Sequence, residues 1–104
     1  MDNRYTYHNR RKYSLKVHIV LVTKYRKQLL KGSIADDVKQ KLFEVCNSKG
    51  WKIIAMETDK DHIHLLVGYD TTDRICDMVK VIKQETTYYL WRRYNNFLSK
   101  QYWK

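Results

Sequence analysis

The run Asp61-His62-Ile63-His64-Leu65-Leu66-Val67 holds the residues best suited to chemistry in this chain. Side chains two apart on a strand face the same side. On a strand, His62 and His64 therefore point together, and Ile63, Leu65 and Val67 point to the other face. Two imidazoles so placed can grip one divalent cation. Imidazole suits several transition metals, while carboxylate or amide oxygen suits Mg²⁺ or Mn²⁺. Two nitrogens, a third ligand and open positions suit a metal that polarises a phosphodiester and stabilises the charge building on it. Zinc is a poorer fit, because no Cys pair completes a tetrahedral set. The same spacing also describes two half-exposed histidines with no metal, and spacing leaves both readings open.

The elements that must position this pair are legible as periods. Leu15 to Thr23 alternates, with Leu15, Val17, Ile19 and Leu21 on one face and Lys16, His18, Val20 and Val22 on the other, which predicts a strand. Lys24 to Lys31 reads as a basic loop. Ser33 is suited to cap a helix running to about Lys49, with Asp36 and Asp37 near its positive end. Its apolar stripe is Ile34, Val38, Leu42 and Val45, and Gly50 ends it. Trp51 to Thr58 and Asp61 to Tyr69 read as a hairpin joined at Asp59-Lys60. Asp73 begins a long helix with Ile75, Met78, Val79, Ile82, Tyr89 and Leu90 on its buried side, fraying near Asn95-Asn96. Phe97 to Lys104 carries no clear assignment.

The order β-α-β-β-α matches most of an α+β ferredoxin-like sandwich. That fold adds a last strand after the second helix, and the chain ends too soon to supply one. The absent strand would lie beside the first, so Leu15 to Thr23 is expected to be an open edge, which invites a homodimer.

Composition limits the classes of function. One domain, residues 1–104, follows from the length, with residues 1–13 a basic N-terminal arm. Apolar residues make up 43% of the chain, enough for a core. No stretch approaches the roughly 18 apolar residues that span a bilayer, and no apolar run follows the N-terminal charges, so a cytoplasmic protein with no membrane partner is expected. The formal net charge is +10, from 21 Lys and Arg against 11 Asp and Glu. Such an excess favours a polyanion, and nine tyrosines and three tryptophans beside it favour unpaired bases that stack on aromatic faces. Cys46 and Cys76 form no C-x-x-C and read as buried free thiols.

The run Glu57 to Val67 resembles the HUH segment of the small single-tyrosine transposases of single-strand insertion sequences, the TnpA-like enzymes. Tyr13, His18-Ile19-Val20 and Thr23-Lys24-Tyr25-Arg26-Lys27 resemble that family's first strand and the basic turn after it. The helix after Asp73, with Lys80-Val81-Ile82-Lys83, matches in kind and position. The likeness runs roughly from Tyr13 to Trp103. It implies that His62 and His64 are metal ligands for Mg²⁺ or Mn²⁺, and that single-stranded or hairpin DNA is the partner. It further implies a tyrosine that attacks the scissile phosphate, leaving a 5′-phosphotyrosine link and a free 3′-hydroxyl. DNA contacts are expected from Lys24, Tyr25, Arg26 and Lys27, from Lys60 beside the histidines, and from Arg10 and Arg11 in the arm.

One departure matters. The family's nucleophile and a further polar ligand lie on a helix beyond the last strand, and neither has a counterpart here. Tyr88, Tyr89 and Tyr94 fall on the helix expected to pack against the opposite sheet face, and no matching motif surrounds Tyr102, so the catalytic residue is left unassigned. The expectation is a C-terminally truncated chain that binds DNA and metal and does not cleave efficiently alone. The alternatives are a non-catalytic nucleic-acid-binding module on the same scaffold and a degraded reading frame that folds only as an oligomer.

Overall fold

Alternating apolar residues build a three-stranded antiparallel sheet in the computed structural model, which describes residues 15–102. The expected arm of residues 1–13, with Arg10 and Arg11, lies outside the described residues. The elements are β1 (Leu15–Val22), a short 3-10 turn (Lys24–Arg26), α1 (Gly32–Lys49), β2 (Lys52–Thr58), β3 (His62–Tyr69), α2 (Ile75–Arg93) and α3 (Asn95–Tyr102). The sheet order is β1-β3-β2. This is the expected α+β arrangement with no fourth strand among the described residues, and β1 is an edge.

β3 is the central strand, and its period decides both layers. Ile63, Leu65 and Val67 are buried, while His62, His64 and Leu66 are half-buried on the other face. The buried set joins Ile19 of β1, Val38 and Leu42 of α1, and Met78 and Ile82 of α2 in one core. Burying side chains of this size stabilises the fold by roughly 1.5–3 kcal/mol each.

β2 shows how the pleat is adjusted to serve that core. Ile53 and Met56 are three residues apart and would face opposite sides of a regular strand. A bulge between Ile53 and Ala55 shifts the register, so that Ile53 pairs with Val67 and Met56 with Leu65. Both side chains therefore pack against the core, and Ile54 is left exposed.

Helix α1 buries the expected stripe of Ile34, Val38, Leu42 and Val45, and adds Cys46. Its N-cap is Lys31, with no side-chain cap bond, so Ser33 lies inside the first turn and does not cap it. Gly50 adopts φ 79°, where a Cβ is disfavoured. The Gly50 N–H donates to the Asn47 carbonyl at 3.2 Å and the Trp51 N–H to the Cys46 carbonyl at 2.9 Å. Those paired bonds satisfy the last carbonyls of the helix.

Helix α2 starts at Ile75, with Arg74 as its N-cap, and buries Met78, Ile82 and Thr86. That four-residue spacing leaves Ile75 and Cys76 off the stripe. Both are exposed, contrary to the expected burial of each. Cys46 is buried as expected, and burial pushes its thiol up to about 11. Residues 97–102 continue as α3, anchored by Leu98, which is 4% exposed. A cavity of about 580 Å³ opens beside β1, lined by Val20, Val22, Leu29, Leu90, Trp91 and Tyr102 among others.

Candidate functional site

His62 and His64 share a face of β3 because the strand runs regularly through them. Their ring centroids are 4.9 Å apart and nearly perpendicular, at 78°. The antiparallel register places Val22 opposite His62 and Val20 opposite His64 on β1, and Glu57 opposite His64 on β2. His18 pairs with Leu66 on the same face, and its ring centroid lies 5.3 Å from that of His64. Spacing had placed His18 on the even face of the first strand, but only the register brings it beside His64.

The residue before the pair is held by two side chains. His62 Nδ1 lies 2.7 Å from Asp61 Oδ1. Arg26 Nε donates to the other oxygen, Asp61 Oδ2, at 3.1 Å. The hydrogen bond from His62, helped by the Arg26 charge, outweighs burial and holds the Asp61 carboxyl below its ordinary value. Asp61 carried no assigned role in the sequence. Nothing in local spacing links it to a residue 35 positions away.

The basic turn is laced to the same hairpin. The Thr23 N–H donates to the Asp61 carbonyl at 2.9 Å, and the Leu30 N–H donates to the Lys60 carbonyl at 2.8 Å. Thr23 Oγ1 closes the turn on the Lys27 carbonyl at 2.6 Å. Inside it, Tyr25 and Arg26 take φ of 60° and 52°, the left-handed region that non-glycine residues rarely occupy. Those bonds hold the strained turn in place. Lys24, Tyr25, Arg26 and Lys27 are thereby brought to the hairpin turn that carries Lys60. Tyr25 is 75% exposed, and the Lys24 Nζ lies 5.3 Å from its ring centre. Lys27 Nζ sits 5.8 Å from the Tyr102 ring.

Tyr102 also lies 6.3 Å from both Tyr25 and Trp91, centroid to centroid. Burial raises its phenol pKa, against a smaller opposing contribution from Thr23. That direction is opposite to the one an attacking phenolate needs.

The donor set fits a metal in part. His62 and His64 place two imidazole rings on one face of β3. Among the described residues, no group of three His, Cys, Asp or Glu side chains is arranged to hold one ion. The pair thus offers two ligands and leaves the remaining positions to water, substrate or another segment.

Comparison with known proteins bears on the whole of this architecture. The family model described as "Transposase IS200 like" matches residues 11–104. The chain belongs to the IS200-like transposase family. Within that family it is similar to the ISDra2 transposase TnpA of Deinococcus radiodurans, at 38% identity over 71 residues, covering 68% of this chain and 51% of that protein. It is also similar to the transposase for insertion sequence element IS200 of Salmonella typhimurium, at 24% identity over 96 residues, covering 88% of this chain and 63% of that one. The chain therefore spans about half to two-thirds of the length of these relatives. A crystal structure from Deinococcus radiodurans R1, assigned as a transposase, superposes with a TM-score of 0.80 at 30% identity, over 86% of this chain and 68% of the other. Among the described residues, no helix is long and apolar enough to cross a membrane.

Proposed function

We propose that this IS200-like transposase chain binds single-stranded or hairpin DNA and supplies the His62–His64 half of a Mg²⁺ or Mn²⁺ site for phosphodiester cleavage and strand transfer. The observation that carries this reading is the bonding of the basic turn to the histidine strand through Thr23, Arg26 and Asp61. It sets cationic side chains beside two potential metal ligands, as chemistry at a phosphate requires. A metal bound there would supply Lewis-acid stabilisation of the phosphate. Lys24, Arg26, Lys27 and Lys60 neutralise the backbone, and the exposed ring of Tyr25 offers a stacking face. The attacking tyrosine, and its 5′-phosphotyrosine link, follow from the family likeness and have no residue assigned here.

A second copy of the chain completes the reading. β1 pairs only with β3 among the described residues, and Val20 and Val22 are each 48% exposed along it. A free edge bordered by apolar side chains favours pairing. Sedimentation is expected to show a dimer, and a stable monomer at high concentration counts against it.

Binding of fluorescent hairpin DNA, with and without Mn²⁺, tests the main reading. Wild type should bind more tightly with metal, and H62A and H64A should lose that response. If DNA binding ignores both metal and His64, the chain acts as a non-catalytic nucleic-acid-binding module. A Mn²⁺-dependent covalent protein–DNA adduct, digested and sequenced by mass spectrometry, would name the tyrosine.

A further inference from the structure

Asp61 is misplaced for a residue that merely precedes a strand. Neighbours along a regular strand point to opposite faces, so the side chains at positions 61 and 62 should diverge. They meet because Asp61 belongs to the hairpin turn. Its carbonyl is captured there by the Thr23 N–H at 2.9 Å, with Thr23 Oγ1 3.3 Å away. The carboxylate thus folds back onto the His62 ring at 2.7 Å. It is not a floppy surface contact, since the Asp61 and His62 side chains are only 20% and 23% exposed.

We propose that Asp61 is a positioning residue for His62, holding the ring with its proton on Nδ1 and its Nε2 lone pair free for the metal, and that Arg26 holds Asp61 in that role from the basic turn. The inference rests on the metal reading above. A carboxylate only accepts hydrogen bonds, so the imidazole nitrogen facing it must carry the proton. A neutral imidazole has one such proton, which leaves Nε2 as the ligand atom. A carboxylate behind a ligating histidine fixes its ring orientation and raises its basicity. Arg26 engages Asp61 through Nε, and its side chain is 63% exposed. Its two terminal nitrogens can therefore meet a phosphate while Nε keeps the carboxylate in place. One arginine thereby joins the proposed DNA-contacting turn to a metal ligand.

The test uses the full chain in two measurements near pH 8, where an ordinary histidine, with pKa about 6.5, is neutral. Long-range ¹H–¹⁵N correlation spectra of the metal-free protein read the His62 tautomer. The Nδ1–H form is expected in wild type and its preference lost in D61A. Mn²⁺ titration should then show about a 10–100-fold weaker affinity in D61A, the usual effect of removing such a support. The R26A variant, which keeps the carboxylate, should weaken Mn²⁺ binding only about two- to five-fold, as for an exposed ion pair. R26A also serves if D61A does not fold, since a shifted His62 tautomer population is expected there too. An Nε2–H tautomer in wild type overturns the proposal. So does wild-type Mn²⁺ affinity in D61A when H62A has lost it, and that outcome leaves the metal site standing. If wild type itself binds no Mn²⁺, the metal reading falls, and the purpose given to Asp61 falls with it.

Discussion

Asp61 and Asp37 are built alike and tie different elements together. Each carboxylate accepts from an arginine Nε: Arg26 at 3.1 Å for Asp61, and Arg93 at 2.7 Å for Asp37. Each also has a second, ring-bearing partner, His62 for Asp61 and the Tyr94 hydroxyl for Asp37. Both carboxyls are held below their ordinary value by these partners. The Asp37 cluster joins α1 to the end of α2, and none of its hydrogen bonds among the described residues reaches the histidine face. The Asp61 cluster joins the basic turn to the His62 ring, on the strand face that also carries His64. The same Arg–carboxylate pairing thus ties two helices together where the second partner is the Tyr94 phenol, and ties the basic turn to the central strand where it is the His62 imidazole.

The sharpest contrast is in metal affinity. D61A should weaken Mn²⁺ binding by about 10–100-fold, and D37A should leave it unchanged in the same titration. Equal losses would mean that both clusters act only through stability. Thermal unfolding should reverse the ranking, with D37A lowering Tm by about 2–6 °C, the shift expected for losing a surface tie in a domain of this size. Y94F keeps Arg93 in place and should fall short of that.

Acid titration separates the two clusters further. A carboxyl with a lowered folded-state pKa stabilises the fold above its ordinary value, here 3.8, and loses that contribution as pH falls through the lower folded value. The Tm difference between wild type and D37N should therefore be full at pH 5 and shrink steadily below about pH 4. A difference independent of pH would show that the carboxylate charge is not what ties the helices. The smallest expected effect concerns salt. Each phosphate contact removed, for instance by K27A, should lower the slope of log affinity against log salt by about 0.7 on single-stranded DNA, and K39A on α1 should not change it.

Much of this was legible along the chain because it depends on local period. The alternation through β3 separates His62 and His64 from Ile63, Leu65 and Val67 whatever the rest of the fold does. The four-residue stripe of α1 and the stop at Gly50 are equally local. Ser33 misled because a good capping residue is used only if the helix begins just after it, and here the helix starts at Gly32. Cys76 and Ile75 misled because one apolar residue more or less at the start of a helix does not fix its rotation. Docking chose the stripe through Met78, Ile82 and Thr86. The helix over Asn95–Tyr102 lacked a strong period and took its place from Leu98 packing.

Sequence alone therefore determined which face of the central strand carries the imidazoles, and the family likeness of their motif. Tertiary structure decided what surrounds them. The β1-β3-β2 order puts His18 beside His64 and Glu57 opposite it. The capture of Asp61 by Thr23 and Arg26 spans 38 and 35 positions, and the Arg93–Asp37 tie spans 56. Contacts at such separations are set by how strands and helices dock, a choice driven by burial of the shared core and not by spacing along the chain.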